Sequence, residues 1–159
     1  MAINIEKHNF HWGEGFSYGF PKKRKLFSQI AEKLSDRQII SIIGLRRTGK
    51  TTLLKQAVDG LIQQGVKREH ILSYSFDEEQ PKIEEIMKQY EAKIGMNILT
   101  MKEMVYVFLD EIQKLHQWQN QVKYYYDNFA NIKFIVSGSA SLFIKKHTEE
   151  SLAGRIYEL

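Results

Sequence analysis

From residue 38 onward, apolar positions fall into short dense runs, and between the runs they recur every three or four residues. "QIISIIG" (38–44) is β-branched and nearly unbroken, the pattern of a strand buried on both faces of a parallel sheet. "ILSYSF" (71–76) alternates and predicts a second strand. "MVYVFLDEI" (104–112) predicts a third, ending in two carboxylates, and "IKFIVSGSA" (132–140) a fourth. "GRIYEL" (154–159) begins a fifth. The intervening segments have helical spacing. Residues 50–64 form one such segment, stopped by Gly65. "PKIEEIMKQYEAKIG" opens on Pro81 and closes on Gly95, the usual asymmetry of a helix. "QKLHQWQNQVKYYYDNF" sets Leu115, Trp118, Val122, Tyr125 and Phe129 on one face. A short helix is expected over 141–146. Strand and helix alternate four times, which predicts an α/β fold with a parallel sheet and right-handed crossovers.

Ahead of this pattern, "NFHWGEGFSYGF" (9–20) is aromatic and broken by Gly13, Gly15 and Gly19, so it reads as an irregular, partly packed segment. "PKKRK" (21–25) opens a helix carrying Leu26, Phe27, Ile30, Ala31 and Leu34 on one side, closed by Ser35 and Asp36. The expected division is therefore 1–36, an aromatic and basic segment with a helix packed on the core, and 37–159, the α/β domain. The sequence stops inside what reads as an element, as expected of a fragment.

Composition narrows the chemistry. The 159 residues include no cysteine, which excludes disulfides, thiolate metal sites and a thiol nucleophile. No apolar run approaches the ~18 residues of a membrane span, and the start lacks a secretory pattern, so the expected location is the cytoplasm. A net charge of +4 suits an anionic partner, whether nucleotide phosphates or a nucleic acid.

The most specific signal is "GLRRTGKT", residues 44–51, with the spacing G-x-x-x-x-G-K-[ST]. Glycines let successive backbone N–H groups turn inward around a polyphosphate, and the following helix presents its N-terminus to the anion. Gly44, Arg47, Thr48, Gly49, Lys50, Thr51 and Thr52 are the candidate nucleotide-binding residues. Lys50 would reach the β- and γ-phosphates, the Thr51 hydroxyl would hold Mg2+, and Thr52 would meet the α-phosphate. Arg46 and Arg47 are either solvated side chains around a backbone cradle, extra charge for the phosphates, or contacts to a neighbouring domain or subunit. The loop follows a predicted buried strand and opens a predicted helix, the context that its chemistry requires.

"VYVFLDEI" reads as the partner strand, the Walker B element, which brings Asp110 to the carboxyl edge of the sheet as a metal ligand. Glu111, one residue on, is the candidate general base for an attacking water. The bland alternative is a solvated acidic pair at a helix start. Ser137, Gly138 and Ser139 end the fourth strand. Ser137 is a candidate catalytic contact to the γ-phosphate or the water, and helix capping by Ser139 or Ser141 is the competing reading. Arg155 in "SLAGR" is a candidate arginine finger, in cis or in trans, against the alternative of a surface arginine before a strand.

Four stretches, "IIGLRRTGKTTLLKQ", "VFLDEIQKLHQWQNQVKYYYDN", "FIVSGSASLF" and "SLAGRIYEL", together resemble the prokaryotic AAA-type ATPases of the extended ASCE group. The resemblance spans roughly residues 27–159. It implies a P-loop NTPase three-layer sandwich with a parallel sheet in the order 5-1-4-3-2. It also implies ATP rather than GTP, and Mg2+. The absence of an [NT]KxD base-reading motif agrees with ATP. It further assigns Lys50, Thr51, Asp110 and Glu111 the roles above, places Ser137 or Ser139 at a sensor position, and marks Arg155 as a recurring arginine. Members commonly continue into a C-terminal domain. The implied activity is Mg2+-dependent ATP hydrolysis coupled to such a domain or to a protein partner. The alternatives are a nucleotide-gated binding module with little turnover and a DNA-associated ATPase. His8 and His11 have a metal-compatible spacing with no third ligand in view, "PKKRK" keeps DNA contact open as a reading, and self-association is a further expectation.

Overall fold

The predicted apolar runs become the strands of one sheet. A computed structural model describes residues 3–20, 25–44, 49–139 and 152–159 of the chain. In chain order the elements are α1 (Lys25–Lys33), β1 (Ile39–Gly44), α2 (Lys50–Gln63), β2 (Ile71–Ser75), α3 (Ile83–Ile94), β3 (Val105–Asp110), α4 (Trp118–Asn128), β4 (Ile132–Ser139) and β5 (Ile156–Glu158). The sheet runs β2-β3-β4-β1-β5, and every neighbouring pair is parallel. This is the expected 5-1-4-3-2 order. The helix expected over 141–146 and the basic start at 21–24 lie outside the described residues. Among the described residues no helix is long and apolar enough to cross a membrane.

Side chains of a strand alternate between faces, so each run supplies two cores. Ile39, Leu72, Tyr74, Val105, Val107, Leu109, Ile132, Phe134 and Val136 face α3 and α4, meeting Ile86, Met87, Tyr90, Trp118 and Val122. Ile40, Ile42, Ile71, Phe108 and Ile135 face α1 and α2, meeting Ile30, Leu53, Leu54, Ala57 and Leu61. The result is three layers, with helices on both faces of the sheet. α1 lies close on α2 because Gly60 has no side chain: a Cβ there would stand 3.2 Å from the Phe27 ring. α3 stops where Gly95 takes the left-handed conformation (φ 68°) that glycine adopts without strain.

The aromatic segment is irregular, as its glycines predict, but it is built from short 3-10 turns (Glu6–His8 and Phe10–Trp12) and has a defined task. It crosses the outer side of β2 and bonds to it through side chains. The Asn9 amide accepts from the Ser73 N–H at 2.7 Å and donates to the Ser73 carbonyl at 2.9 Å. His11 Nε2 and Trp12 Nε1 both reach the Ile71 carbonyl, at 2.7 and 2.8 Å. His8 Nδ1 accepts from the Ser75 N–H at 3.3 Å. Farther on, the Asp59 carboxylate of α2 accepts from the Ser17 hydroxyl and from the N–H groups of Tyr18 and Gly19. Burial pushes His8 and His11 below the usual histidine range, which suits the acceptor role of each Nδ1, His11 taking the Tyr18 hydroxyl at 3.1 Å. Neither histidine belongs to a group of three or more metal-ligating side chains among the described residues.

Lys133, at the amino end of β4, is fully buried and donates to the carbonyls of Asp36 and Gln38, which ties the α1–β1 connection to the sheet. Burial pulls its ammonium down to about 8, with Asp36 opposing the shift and Lys33 adding to it. The unfolded chain keeps that proton to about 10.5. Between those values the unfolded state binds more protons, so this group's contribution to stability rises with pH. It is complete above the unfolded value and is lost as pH falls through the folded one. Urea unfolding of the wild type and Lys133→Met, run in parallel at pH 8 and 9.5, is expected to show the difference moving toward the wild type by about 1–2 kcal/mol. A pH-independent difference would contradict the burial of the charge.

Candidate functional site

Three strand ends and one helix start converge at the carboxyl edge of the sheet. β1 ends at Gly44, and α2 begins at Lys50 directly after Gly49, whose φ of 86° lies in the left-handed region. The intervening residues 45–48 lie outside the described residues, and with them the expected contributions of Arg46, Arg47 and Thr48. Lys50 is 8% exposed and its Nζ donates to the Gly44 carbonyl at 3.1 Å, so the ammonium closes the loop from helix to strand. Thr51 and Thr52 follow in the first turn of α2, where N–H groups lack intrahelical partners and the dipole favours anions.

The period of two in β3 and β4 decides which polar side chains reach this corner. Val105, Val107 and Leu109 point to the α3/α4 side, so Phe108 and Asp110 point to the α2 side. In β4 the same count brings Ile135 and Ser137 to the α2 side, with Ser137 beside Ile42 on β1. The Asp110 carboxylate collects three donors: Oδ2 accepts from the Thr51 hydroxyl at 2.7 Å, and Oδ1 accepts from the Ser137 hydroxyl and from the Glu111 N–H, the latter at 3.0 Å. An aspartate with three donors holds a single orientation.

This arrangement alters the expectation for Ser137. Its side chain is fully buried and its hydroxyl donates to Asp110, so the structure ties it to the orientation of the aspartate. Ser139, two residues on and level with Gly44, stands at the strand tip instead. Glu111 leaves the strand in the left-handed conformation (φ 53°, ψ 43°), which costs a non-glycine residue on the order of 1 kcal/mol and marks a backbone held by its surroundings. The 3-10 turn Ile112–Lys114 follows. In it Gln113, to which the sequence drew no attention, donates from Nε2 to Glu111 Oε2 at 2.5 Å and accepts from the Ser139 N–H at 3.3 Å.

Arg155 stands apart from this corner within the chain. It precedes β5, and its carbonyl accepts from the N–H of Ile39 at the beginning of β1. Its guanidinium pairs with Asp127 of α4 at 3.0 Å. β1 separates the two edges by about 17 Å at ~3.3 Å per residue, so Arg155 does not join Lys50, Thr51 and Asp110 in cis. Parallel pairing of β5 with β1 is the signal that locates it: a residue just before a parallel strand lies at the amino edge.

A groove of about 250 Å³ adjoins Thr51 and Asp110, between α2 (Leu54, Val58) and the N-terminal segment (His8, Tyr18). A larger hollow of about 480 Å³ lies between the start of α3 and α4, at Lys82, Gln121 and Tyr124, and contains none of the site residues. The corner residues fit a metal-bound triphosphate. The Thr51 hydroxyl donates a hydrogen bond to Asp110 and keeps lone pairs for a hard cation, Asp110 adds carboxylate oxygens, and Lys50 and the α2 N-terminus supply positive potential.

Comparison with known proteins agrees with this fold. A family model described as "AAA domain" matches residues 36–159. An uncharacterized protein of Haemophilus influenzae is 29% identical over 137 residues, covering 86% of this chain and 34% of the relative. One of Methanocaldococcus jannaschii is 30% identical over 138 residues, covering 81% of this chain and 28% of the relative. The chain thus spans about a third of the length of the curated relatives it matches. Among solved structures, Drosophila ORC bound to DNA superposes with a TM-score of 0.56 at 12% identity, covering 98% of this chain and 92% of that one. A DNA polymerase III gamma subunit-related protein of Thermotoga maritima superposes with a TM-score of 0.58 at 8% identity, covering 85% and 45%. At such identities the superpositions establish a shared fold.

Proposed function

The chain belongs to the AAA domain family, and on that premise we propose that it binds ATP with Mg2+ on the loop from Gly44 to Thr52 and hydrolyses it, relaying nucleotide state to a partner or another domain. The observation that carries this reading is the Thr51 hydroxyl held 2.7 Å from Asp110 at the start of α2, next to the Lys50–Gly44 link. That grouping is what a metal-bound triphosphate asks of a protein: a hydroxyl and a carboxylate for the cation, and an ammonium with helix N–H groups for the phosphates.

In this reading Lys50 neutralises the β- and γ-phosphates, while Thr51 and Asp110 would hold the cation. When bound, a divalent cation offsets the charge that builds on the phosphoryl oxygens. Glu111 takes a proton from water as the water oxygen bonds to the γ-phosphorus, and the bond from that phosphorus to the bridging oxygen breaks to release ADP and phosphate. Loss of the γ-phosphate contacts then serves as the switch. The relatives' additional length is the candidate receiver.

The separation of Arg155 from the corner favours slow turnover by a single copy, which keeps a nucleotide-gated module as the second reading. Calorimetric titration with ATP, with and without Mg2+, alongside measured phosphate release, tests both. The expected result is saturable binding at least tenfold tighter with Mg2+, together with phosphate release above background. Binding without release selects the gated module, and no binding overturns both.

A further inference from the structure

We propose that Gln113 is a positioning residue for this reaction: it ties one oxygen of the Glu111 carboxylate to the tip of β4 and so aims the other at the attacking water. The proposal rests on the reading of Glu111 as the group that activates water. Glu111 leaves the sheet through a left-handed residue, so its side chain starts from a turn and not from the regular pleat of β3. The turn itself is pegged by Ile112 and Leu115, both buried. The freedom that remains is in the glutamate side chain, and Gln113 removes it. Its Nε2 donates to Glu111 Oε2 at 2.5 Å, and among the described residues no group donates to Oε1.

The orientation of the Gln113 amide is dictated by its partners. The Ser139 N–H can only donate, so it demands the amide oxygen and leaves the amide nitrogen to face Glu111. Ser139 is level with Gly44, the last residue of β1 before the phosphate loop. The linkage Gly44–Ser139–Gln113–Glu111 therefore references the carboxylate to the strand pair that carries the loop. No shorter side chain spans both contacts, and a glutamate would have to be protonated to donate. A group held this way is pre-oriented for attack, and misplacement by about 1 Å costs on the order of 100-fold in rate.

Gln113→Ala is expected to lower kcat by about 10–100-fold with ATP affinity within about twofold of wild type. In Gln113→Glu two carboxylates oppose each other at neutral pH, and protonation restores a donor between them. Its kcat is therefore expected to recover toward acid pH where the wild-type rate does not, a response that a merely structural role would not give. One readout needs no turnover. In 15N-labelled wild type the Gln113 side-chain amide is expected to give shifted, slowly exchanging resonances that return to ordinary positions in Glu111→Ala. Gln113→Ala with kcat within twofold of wild type overturns the proposal, as do amide resonances indifferent to Glu111. A wild type that binds ATP and releases no phosphate removes the reaction and the positioning role with it. The amide resonances tell that failure apart from the absence of the Gln113–Glu111 pair.

Discussion

Lys50→Ala is expected to weaken ATP binding by at least about 100-fold and to abolish phosphate release. Lys50 is 8% exposed, and its ammonium sits between the last residue of β1 and the first turn of α2, on the Gly44 carbonyl at 3.1 Å. From there it ties the ends of the loop together and, in the proposed reading, supplies the charge that meets the phosphates. A hydrogen bond to a charged group contributes about 1.5–3 kcal/mol, and about 2.8 kcal/mol corresponds to a factor of 100 in affinity. Alanine has the highest helix propensity, so α2 is retained and the loss falls on the loop. Calorimetry with ATP and Mg2+ measures the affinity, and thermal unfolding within a few degrees of wild type assigns the loss to the site. Unchanged binding would mean that the triphosphate does not lie on this loop.

Glu111→Gln is expected to separate chemistry from binding. Glutamine keeps the size of the side chain and still accepts from the Gln113 amide, so the contact that holds the wild-type residue survives. It cannot take a proton. Removal of a positioned general base costs about 10²–10⁴ in rate, so single-turnover phosphate release should fall by at least 100-fold while ATP affinity stays within about twofold. An undiminished rate would assign the base elsewhere. Equal loss of binding and rate would make Glu111 a structural residue.

Much of this architecture was legible because hydrophobic runs report both faces of a parallel strand. β3 illustrates it: an unbroken apolar stretch marks a strand covered on two sides, and its polar end marks the edge where the covering stops. The position of Asp110 beside Thr51 then follows from the count of alternating side chains. What remained hidden depends on contacts between segments far apart in the chain. Gln113 stands in plain sight two residues after Glu111, yet its meaning requires both the left-handed backbone at Glu111 and the arrival of Ser139. Ser137 carries a hydroxyl at a strand end, and only packing shows that it is buried and spent on the aspartate. Asn9 is 64 residues from Ser73, and nothing local announces an asparagine that completes a strand's bonding. Arg155 was the more recoverable case, since strand order with parallel pairing already consigns the residue before β5 to the far edge.

The segment that crosses β2 has a bearing on assembly. Outermost strands are templates on which foreign strands add, and this one presents its spare backbone groups at residues 71, 73 and 75. At each of them a side chain from residues 8–12 already occupies a group that an incoming strand would need. Copies of this domain that meet along that flank find it blunted, so polymerisation by strand addition there requires the segment to detach first.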